Sequence, residues 1–528
     1  MQNISEIIIL LAIVTALAQF TDKIKIPYPI LLVFAGIGVG LIPGLPRVSL
    51  NPDVVFLVFL PPVLYSAAWT TSWPDFKTWA RPIALLATGC VLFTTLMVAA
   101  VAHYCIPGFG WPEAFVLGAI ISPPDAVAAA AATKGLGLPR RVTTILEGES
   151  LVNDATGLIA YRYAIATVAT GNFIFWLAGI NFFYVAGVGI LVGGVVGFVF
   201  LWIHKFTPDN PMTDTTMTFL TPYTAYLVAE EYHASGVLAV VVAGLILSQR
   251  ASEVFNHQTR LQANFVWQTV IFLLNGIIFI LIGLQLPLIL SDIKDISLTT
   301  LLWYGTIISL ATIIVRIIWV FPGTFVPRWL SKGIREREPE PKIEMVGVIA
   351  WSGMRGVVSL AAALALPLVA SEENGSAPFP NRDLIIFLTF SVIFATLVFQ
   401  GLTLPKLIKW SHFKPDDQDQ IEEQEARLAV AASIIEHIEE NYALSLSESV
   451  LNQIKTKYEI RIQRVRKDQT NPDLSVQQID EFNRIRLELL KKERDLIIRR
   501  RKDGKIGEEV LRRIEHELDL EESRLMLE

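Results

Sequence analysis

The chain has almost no cysteine. Its 528 residues hold two, Cys90 and Cys105, too few for a disulfide framework and without the CxxC spacing of a metal or redox motif. Histidine is scarce, seven in all, with no HExxH and no paired-His motif, so a zinc protease has nothing to be built from. The nucleophile–base set of a hydrolase or acyltransferase is equally missing. Charge is thin: Asp, Glu, Lys and Arg make up 18% of the residues against 52% apolar, well off the balance of a soluble globular protein.

What the chain does hold is length without charge. Runs of about 20 apolar residues, enough to cross a bilayer as a helix, fall at 4–20, 24–43, 53–70, 82–106, 112–133, 141–170, 181–204, 214–230, 234–249, 265–287, 299–322, 344–368 and 382–408. The fold expected is all-α and polytopic, with about 13 transmembrane helices. The first run has no basic n-region and no A-x-A-like cleavage site, so it is expected to stay as a helix.

Loop charge sets the expected orientation, because Lys and Arg in short loops mark the cytoplasmic side. Alternate loops carry Lys23, Lys25, Lys77, Arg81, Lys134, Arg140, Arg141, Lys205, Arg250, Arg260, Arg328, Lys332, Arg335, Arg337 and Lys342; the others carry only Arg47, Lys294 and Arg382. One missed helix would scramble that alternation. The N-terminus is therefore expected outside and the C-terminus in the cytoplasm, in a cell (inner or plasma) membrane.

The chain changes character after Trp410, so 1–410 is expected as the membrane domain and 411–528 as a charged cytosolic tail. Residues 411–528 hold 21 Lys+Arg and 27 Asp+Glu; taken from totals of 44 and 50, that leaves 23 of each sign before them. The net charge of −6 thus belongs to the tail. Ile434, Ile438, Ile479, Phe482, Ile485 and Leu489 recur there at helical spacing, which predicts a helical domain. It reads as a solvated appendage or dimerisation hairpin, with a regulatory role as the sharper alternative.

Against this background the stretch GESLVNDATG, 148–157, stands out. Ionisable residues at membrane depth point to an ion pathway or proton relay. On the sixth span Ser150 and Asp154 are i,i+4 and share one stripe, with Glu149 and Asn153 on the neighbouring stripe. Asp154 lies about 20 Å along that helix from Arg141, near mid-bilayer. In the fifth span, ISPPDAVAA, Pro123 and Pro124 predict a break beside Asp125. The twelfth span carries WSGMRG, with Arg355 between Gly353 and Gly356. Interrupted helices at matching places in two halves point to inverted repeats with an ion site at the midplane. The Pro pair of FLPPVLY, 59–65, fits a packing kink at least as well as a functional break.

Glu149 and Arg355 are expected to neutralise each other, since an unpaired buried charge is strongly unfavourable. Arg316, near the cytoplasmic end of its span, and Arg162, toward an outer end, are expected to snorkel. Glu230, Glu231 and His233 fit an interface patch. Oxygen ligands without His or Cys clusters favour a hard cation: the Asp154 carboxylate, the Ser150 hydroxyl, Asp125 and the carbonyls freed at Pro123 and Pro124 can together replace a hydration shell. A buried carboxylate is neutralised by a proton or by a cation but not by both, which is the minimum requirement of an exchanger.

At these residues the chain resembles the sodium/proton antiporters of the monovalent cation:proton antiporter family one, the bacterial NhaP-type proteins and animal sodium/proton exchangers, with the bacterial branch as the nearer likeness. The marks are FLPP (59–62), SPPDAVA (122–128), LEGESLVNDATGL (146–158), HASGVLAVVVAGL (233–245), LLNGIIFILIGLQL (273–286) and GMRG (353–356). The resemblance implies an NhaA-like fold of crossed, broken helices, with a six-helix core and a dimerisation domain in each protomer of a homodimer joined through membrane helices and possibly the tail. It implies that Asp154 is the essential cation- and proton-binding carboxylate, with Asp125 and Ser150 as further sodium ligands. It implies that Asn153 marks the electroneutral branch and that Glu149 and Arg355 form a structural ion pair close to it. Two positions depart from the family pattern: Pro124 replaces a frequent Thr, leaving only a carbonyl, and Ser66 stands where many relatives carry Glu.

The function expected is electroneutral exchange of one cytoplasmic sodium (or lithium) for one external proton by alternating access, serving pH and sodium homeostasis. No catalytic residue, cofactor or nucleic-acid partner is expected; sodium and protons are cargo. A potassium/proton exchanger using the same site is the alternative, with an integral-membrane enzyme or a receptor far behind.

Overall fold

The computed structural model describes residues 12–17, 26–42, 52–133, 135–170, 175–207, 209–293, 296–338, 340–369, 378–411, 413, 418–442, 472–503, 505 and 508–527, with scattered positions between 449 and 459. Among these, regular structure is helical apart from one isolated bridge between Val369 and Pro378. The first expected span, 4–20, lies outside the described residues except for 12–17, as do Lys23, Lys25, Arg47, Lys134 and Lys294. The chain divides into two compact units, Met1–Pro415 and Asp416–Glu528.

Among the described residues of the first unit, seven helices are long and apolar enough to cross a membrane. They are α3 (Ala80–Cys105), the interrupted Trp111–Thr133, α7 (whose apolar part is Gly179–Phe206), α9 (Gly236–Val254), α10 (His257–Ser291), α11 (Leu298–Leu330) and α14 (Arg382–Trp410). Two shorter apolar helices precede them, α1 (Tyr28–Gly40) and α2 (Leu60–Thr70), the latter entered through a π turn at Val55–Phe59. Pro61 and Pro62 are buried where the π turn passes into α2, and their missing N–H groups fit that local departure from α-helical bonding. Four helices carry too much charge, polarity or interruption to read as plain spans: α6 (Arg140–Thr170), α8 (Pro211–Glu231), and the pair α12 (Ile343–Trp351) and α13 (Val357–Leu364). Side-chain caps set the helix starts in the middle of the chain: Asn210 accepts from Met212 and Thr213, Ser235 from Leu238, Asn256 from Thr259 and Ser297 from Thr300. Each satisfies a backbone donor that the helix itself leaves open.

The interrupted helices position the site. The fifth span is two pieces, α4 (Trp111–Ile121) and α5 (Ala126–Thr133), parted at the Pro pair; the twelfth parts between Trp351 and Val357. The two breaks meet, with the Asp125 N–H donating to the Met354 carbonyl at 2.6 Å. A backbone group freed in one half is thereby satisfied by the other, which permits unwound chain at membrane depth. Two buried clusters surround this crossing. One is built chiefly on α3, α4, α12 to α14 and the α1–α10 pair; the other on α2, α8 and α9 with Leu151 and Ala155 of α6.

The second unit contains α15 (Gln418–Tyr442), α16 (Pro472–Lys502) and α17 (Glu508–Leu527). α16 and α17 pack through Leu490 and Leu518 with Leu487, Ile497 and Ile514 around them. Arg486–Glu521 and Arg494–Asp519 ion pairs flank that seam at 2.7 and 2.8 Å. Ile438 is buried, whereas Ile485 and Leu489 are exposed; the side chains of Ile479 and Phe482 lie outside the described residues.

Candidate functional site

Asp154 sits in the middle of α6, within the 31 residues from Arg140 to Thr170. It is 8% exposed and opens onto a cavity of about 200 Å³ that Ser150, Asp125 and Pro124 also line. Four of the residues expected to hold a cation therefore converge on one space. Asp125 is half-buried and caps the restarted helix, its Oδ1 accepting from the Val127 N–H at 2.8 Å. Its other carboxylate oxygen lies against Gly356, where any side chain would displace it. Asn275, Ser359, Thr70 and Glu147 are the other polar lining residues. Val63, Leu64 and Ala67 of α2 also line the cavity, whereas Ser66 does not.

The cavity has a direction. Its exposed lining residues Ala67, Thr70 and Ala130 lie at the end of the spans that leads to Lys77, Lys134 and Arg141. Val55, Phe59, Pro123 and Asp154, deeper along it, are buried. The walls are mostly apolar, and among the described residues Asp125, Glu147 and Asp154 are the formally charged groups along it.

Asn153 does not line this cavity. It is fully buried and donates from Nδ2 to the Pro124 carbonyl at 2.7 Å. The amide thus ties the intact helix α6 to the break in its neighbour, and its orientation follows from the acceptor it meets.

The expected Glu149–Arg355 pair is corrected. Glu149, 2% exposed, is held by Arg316, 1% exposed: Nη1 to Oε1 at 2.6 Å and Nη2 to Oε2 at 2.8 Å. That bidentate fork occupies both carboxylate oxygens. Arg316 Nη2 also donates to the Ile349 carbonyl at 3.1 Å. Arg355, equally buried, lies on the unwound segment and turns its Nη1 back to the Gly353 carbonyl at 2.6 Å, while its N–H donates to Thr396 Oγ1 at 3.0 Å. Arg316 is accordingly no snorkelling residue. α11 continues to Leu330, so Arg316 lies twelve residues, about 18 Å, from Arg328, beyond the reach of one side chain. The missing signal was helix length past the apolar run. Gly353 gives a second hint, since a Cβ there would run into the Arg316 side chain.

Arg162 is likewise paired, donating from Nη2 to both Glu230 carboxylate oxygens at 2.9 and 2.8 Å. Sequence reasoning placed Glu230 in a patch and Arg162 in the interface; nothing in either stretch signals that they meet. No group of three or more metal-ligating His, Cys, Asp or Glu side chains occurs among the described residues.

Residues 8–410 match the model of the family described as the transmembrane sodium/hydrogen exchanger. The chain is 32% identical over 533 residues to an uncharacterised sodium/proton exchanger of Mycobacterium tuberculosis, covering 98% of this chain and 96% of that one. It is 35% identical over 391 residues to a sodium, potassium, lithium and rubidium/proton antiporter of Bacillus pumilus, covering 72% and 58% of the two chains. It is 31% identical over 428 residues to the low-affinity sodium/proton antiporter NhaS1 of Synechocystis, covering 80% and 77%. In fold it is similar to the sodium proton antiporter MjNhaP1 of Methanocaldococcus jannaschii, with a TM-score of 0.60 at 19% identity over 78% of this chain and 99% of that one. The chain belongs to the transmembrane sodium/hydrogen exchanger family, and is a polytopic membrane transporter with the fold of the NhaP antiporters rather than an enzyme.

Proposed function

We propose that the protein exchanges one monovalent cation for one proton without net charge movement, by alternating exposure of the Asp154 cavity to the two sides of a cell membrane. Sodium or lithium leaves the cytoplasm and a proton enters, which serves sodium and pH homeostasis. Asp154 is the shared carrier, with Asp125, Ser150 and the Pro124 carbonyl as the remaining cation ligands; Asn153 positions Pro124, and Glu149 with Arg316 holds α6 in place.

The observation that carries this reading is the count of charges around the two helix breaks. Glu149, paired with Arg316, and the cavity carboxylates Asp125 and Asp154 carry three negative charges and Arg316 and Arg355 two positive ones, a formal sum of −1 for these five groups, with Glu147 set apart at the cavity's exposed end. One proton or one monovalent cation brings the set to zero, and neither both nor none does so. Moving a net charge through a bilayer is costly, so the neutral forms are the ones that cross. The basic loops at the cavity's exposed end support an inward-facing arrangement. A homodimer through the exposed apolar face of α7 (Phe175–Phe206), where Phe183, Leu191 and Trp202 point outward, is the assembly this family membership suggests.

Potassium is the second candidate cargo, because the Bacillus pumilus relative is named for sodium, potassium, lithium and rubidium together. Proteoliposomes carrying an outward gradient of each cation, with an internal pH dye, separate the two. Proton uptake driven by sodium supports the first reading; uptake driven by potassium alone replaces sodium with potassium; movement with neither cation defeats exchange altogether.

A further inference from the structure

Glu147 lies on the same stripe of α6 as Ser150 and Asp154, three and seven residues before them. It lines the same cavity and is half-buried at its exposed end. Seven residues of helix put it about 10 Å from Asp154. Among the described residues no Lys, Arg or His lines that cavity, so the formal charges of its described lining have one sign; low-dielectric walls of one charge concentrate counter-ions. Asp154, more than nine-tenths buried at the far end, is where such an ion arrives. We propose that Glu147 forms a staging subsite, which gathers a partly hydrated monovalent cation from the Arg141 side and passes it to Asp154.

This inference rests on the exchange reading and is tested separately from it. Half-saturating cation concentrations are measured from each face of oriented proteoliposomes, for the unaltered protein, Glu147→Gln and Glu147→Asp. A carboxylate about 10 Å away, at a dielectric between those of the protein surface and water, changes cation occupancy about two- to fifteen-fold. Glu147→Gln should raise the half-saturating concentration by that factor from the Arg141 side only, with the maximal rate unchanged, and Glu147→Asp should restore it. The unaltered protein supplies a second readout. Raising impermeant salt from about 0.01 M to about 1 M shrinks the screening length from about 30 Å to about 3 Å, and should weaken apparent affinity on that face more than on the other. Equal shifts from both faces, a fall in maximal rate alone, or salt-insensitive affinity would overturn the subsite. Absence of cation-driven proton movement in the unaltered protein would instead remove the exchange reading.

A different observation carries a second inference. The ring of Phe56 borders both the Asp154 cavity and a separate space of about 100 Å³ on the opposite side, lined by Ala155, Ile159, Arg162, Tyr226 and Glu230. The Arg162–Glu230 pair closes that second space between α6 and α8. We infer that Phe56 and this ion pair form the outer closure, made in this state and broken when Asp154 faces outward. A contact present in one state only biases the equilibrium by its own strength. For a pair with side-chain exposures of 48% and 33% that is about a two- to five-fold shift. Arg162→Gln and Glu230→Gln should each increase labelling of Ala155→Cys by an impermeant thiol reagent from outside, in a protein lacking Cys90 and Cys105. The charge-swapped double variant, Arg162→Glu with Glu230→Arg, should return labelling to its starting rate. Unchanged labelling in both single variants, or a swap that fails to restore it, would overturn the closure.

Discussion

The N–H of Asp125 and the carbonyl of Met354 meet at 2.6 Å, so the two interrupted helices are joined by the backbone groups that their interruptions release. Asp125 turns its carboxylate into the cavity from one break, and Arg355 anchors the other.

Asp154→Asn should abolish exchange while leaving the protein inserted and folded. Asn is nearly isosteric yet takes up neither a proton nor a compensating cation. Flux in proteoliposomes, with thermal unfolding in detergent as the folding control, checks this; near-normal exchange would remove Asp154 as carrier.

Glu149→Gln and Arg316→Gln should both lower thermal stability sharply, because each strands the other charge in the core at a cost of about 3–5 kcal/mol. The two losses should not add in the double variant, which leaves no stranded partner. Full additivity in the double-mutant cycle would show that the pair seen at 2.6 Å contributes nothing as a pair.

Asn153→Asp removes the amide donor and sets a carboxylate oxygen against the Pro124 carbonyl. Stability in detergent should fall, by about 1–3 kcal/mol for the lost buried bond, and exchange should slow without becoming voltage-driven, because an unpaired buried carboxyl keeps its proton and leaves the charge sum at −1. A variant that is as stable as the parent and newly electrogenic would show that Asn153 occupies the cation path.

Outside the membrane, hydrogen bonds from Arg81 hold the Glu338 carboxyl below its ordinary value, which is about 4.3. A depressed carboxyl stabilises the fold above the unfolded-state value and loses that contribution as pH falls through the folded one. Glu338→Gln should therefore unfold at a lower temperature than the parent at pH 7, and the gap should close below about pH 4. A gap of the same size at both pH values would mean that Glu338 acts through shape and not charge.

Much of this arrangement is legible in the sequence, because bilayer length and apolar runs leave few choices. The caps at Asn210 and Ser297 fall just before the expected helices, whereas Ser235 lies within its expected run and Asn256 well ahead of its own. Pro123 and Pro124 announce one break, and Gly353 and Gly356 the other. The convergence of Asp154, Ser150 and Asp125 follows from i,i+4 spacing and a break beside a carboxylate. What stays hidden depends on contacts between distant helices. Glu149 and Arg316 are 167 residues apart, and choosing Arg316 over Arg355 requires knowing that α11 outruns its apolar stretch. Thr70 carries no charge or motif to mark it as lining, and Asn275, although inside LLNGIIFILIGLQL, carries no charge. Arg162 and Glu230 each look like a span-end residue until α6 and α8 are placed side by side.

The central claim is that a charge set summing to −1 is neutralised by one proton or one monovalent cation. The most direct measurement is sodium uptake into proteoliposomes under an imposed potassium–valinomycin diffusion potential, at fixed sodium and pH gradients. The account predicts the same rate at zero and at inside-negative potential, with protons competing against sodium so that half-saturating sodium rises as pH falls. A clear acceleration by inside-negative potential would contradict it, and would require a second mobile carboxylate, for which Asp125 is the group already facing the cavity.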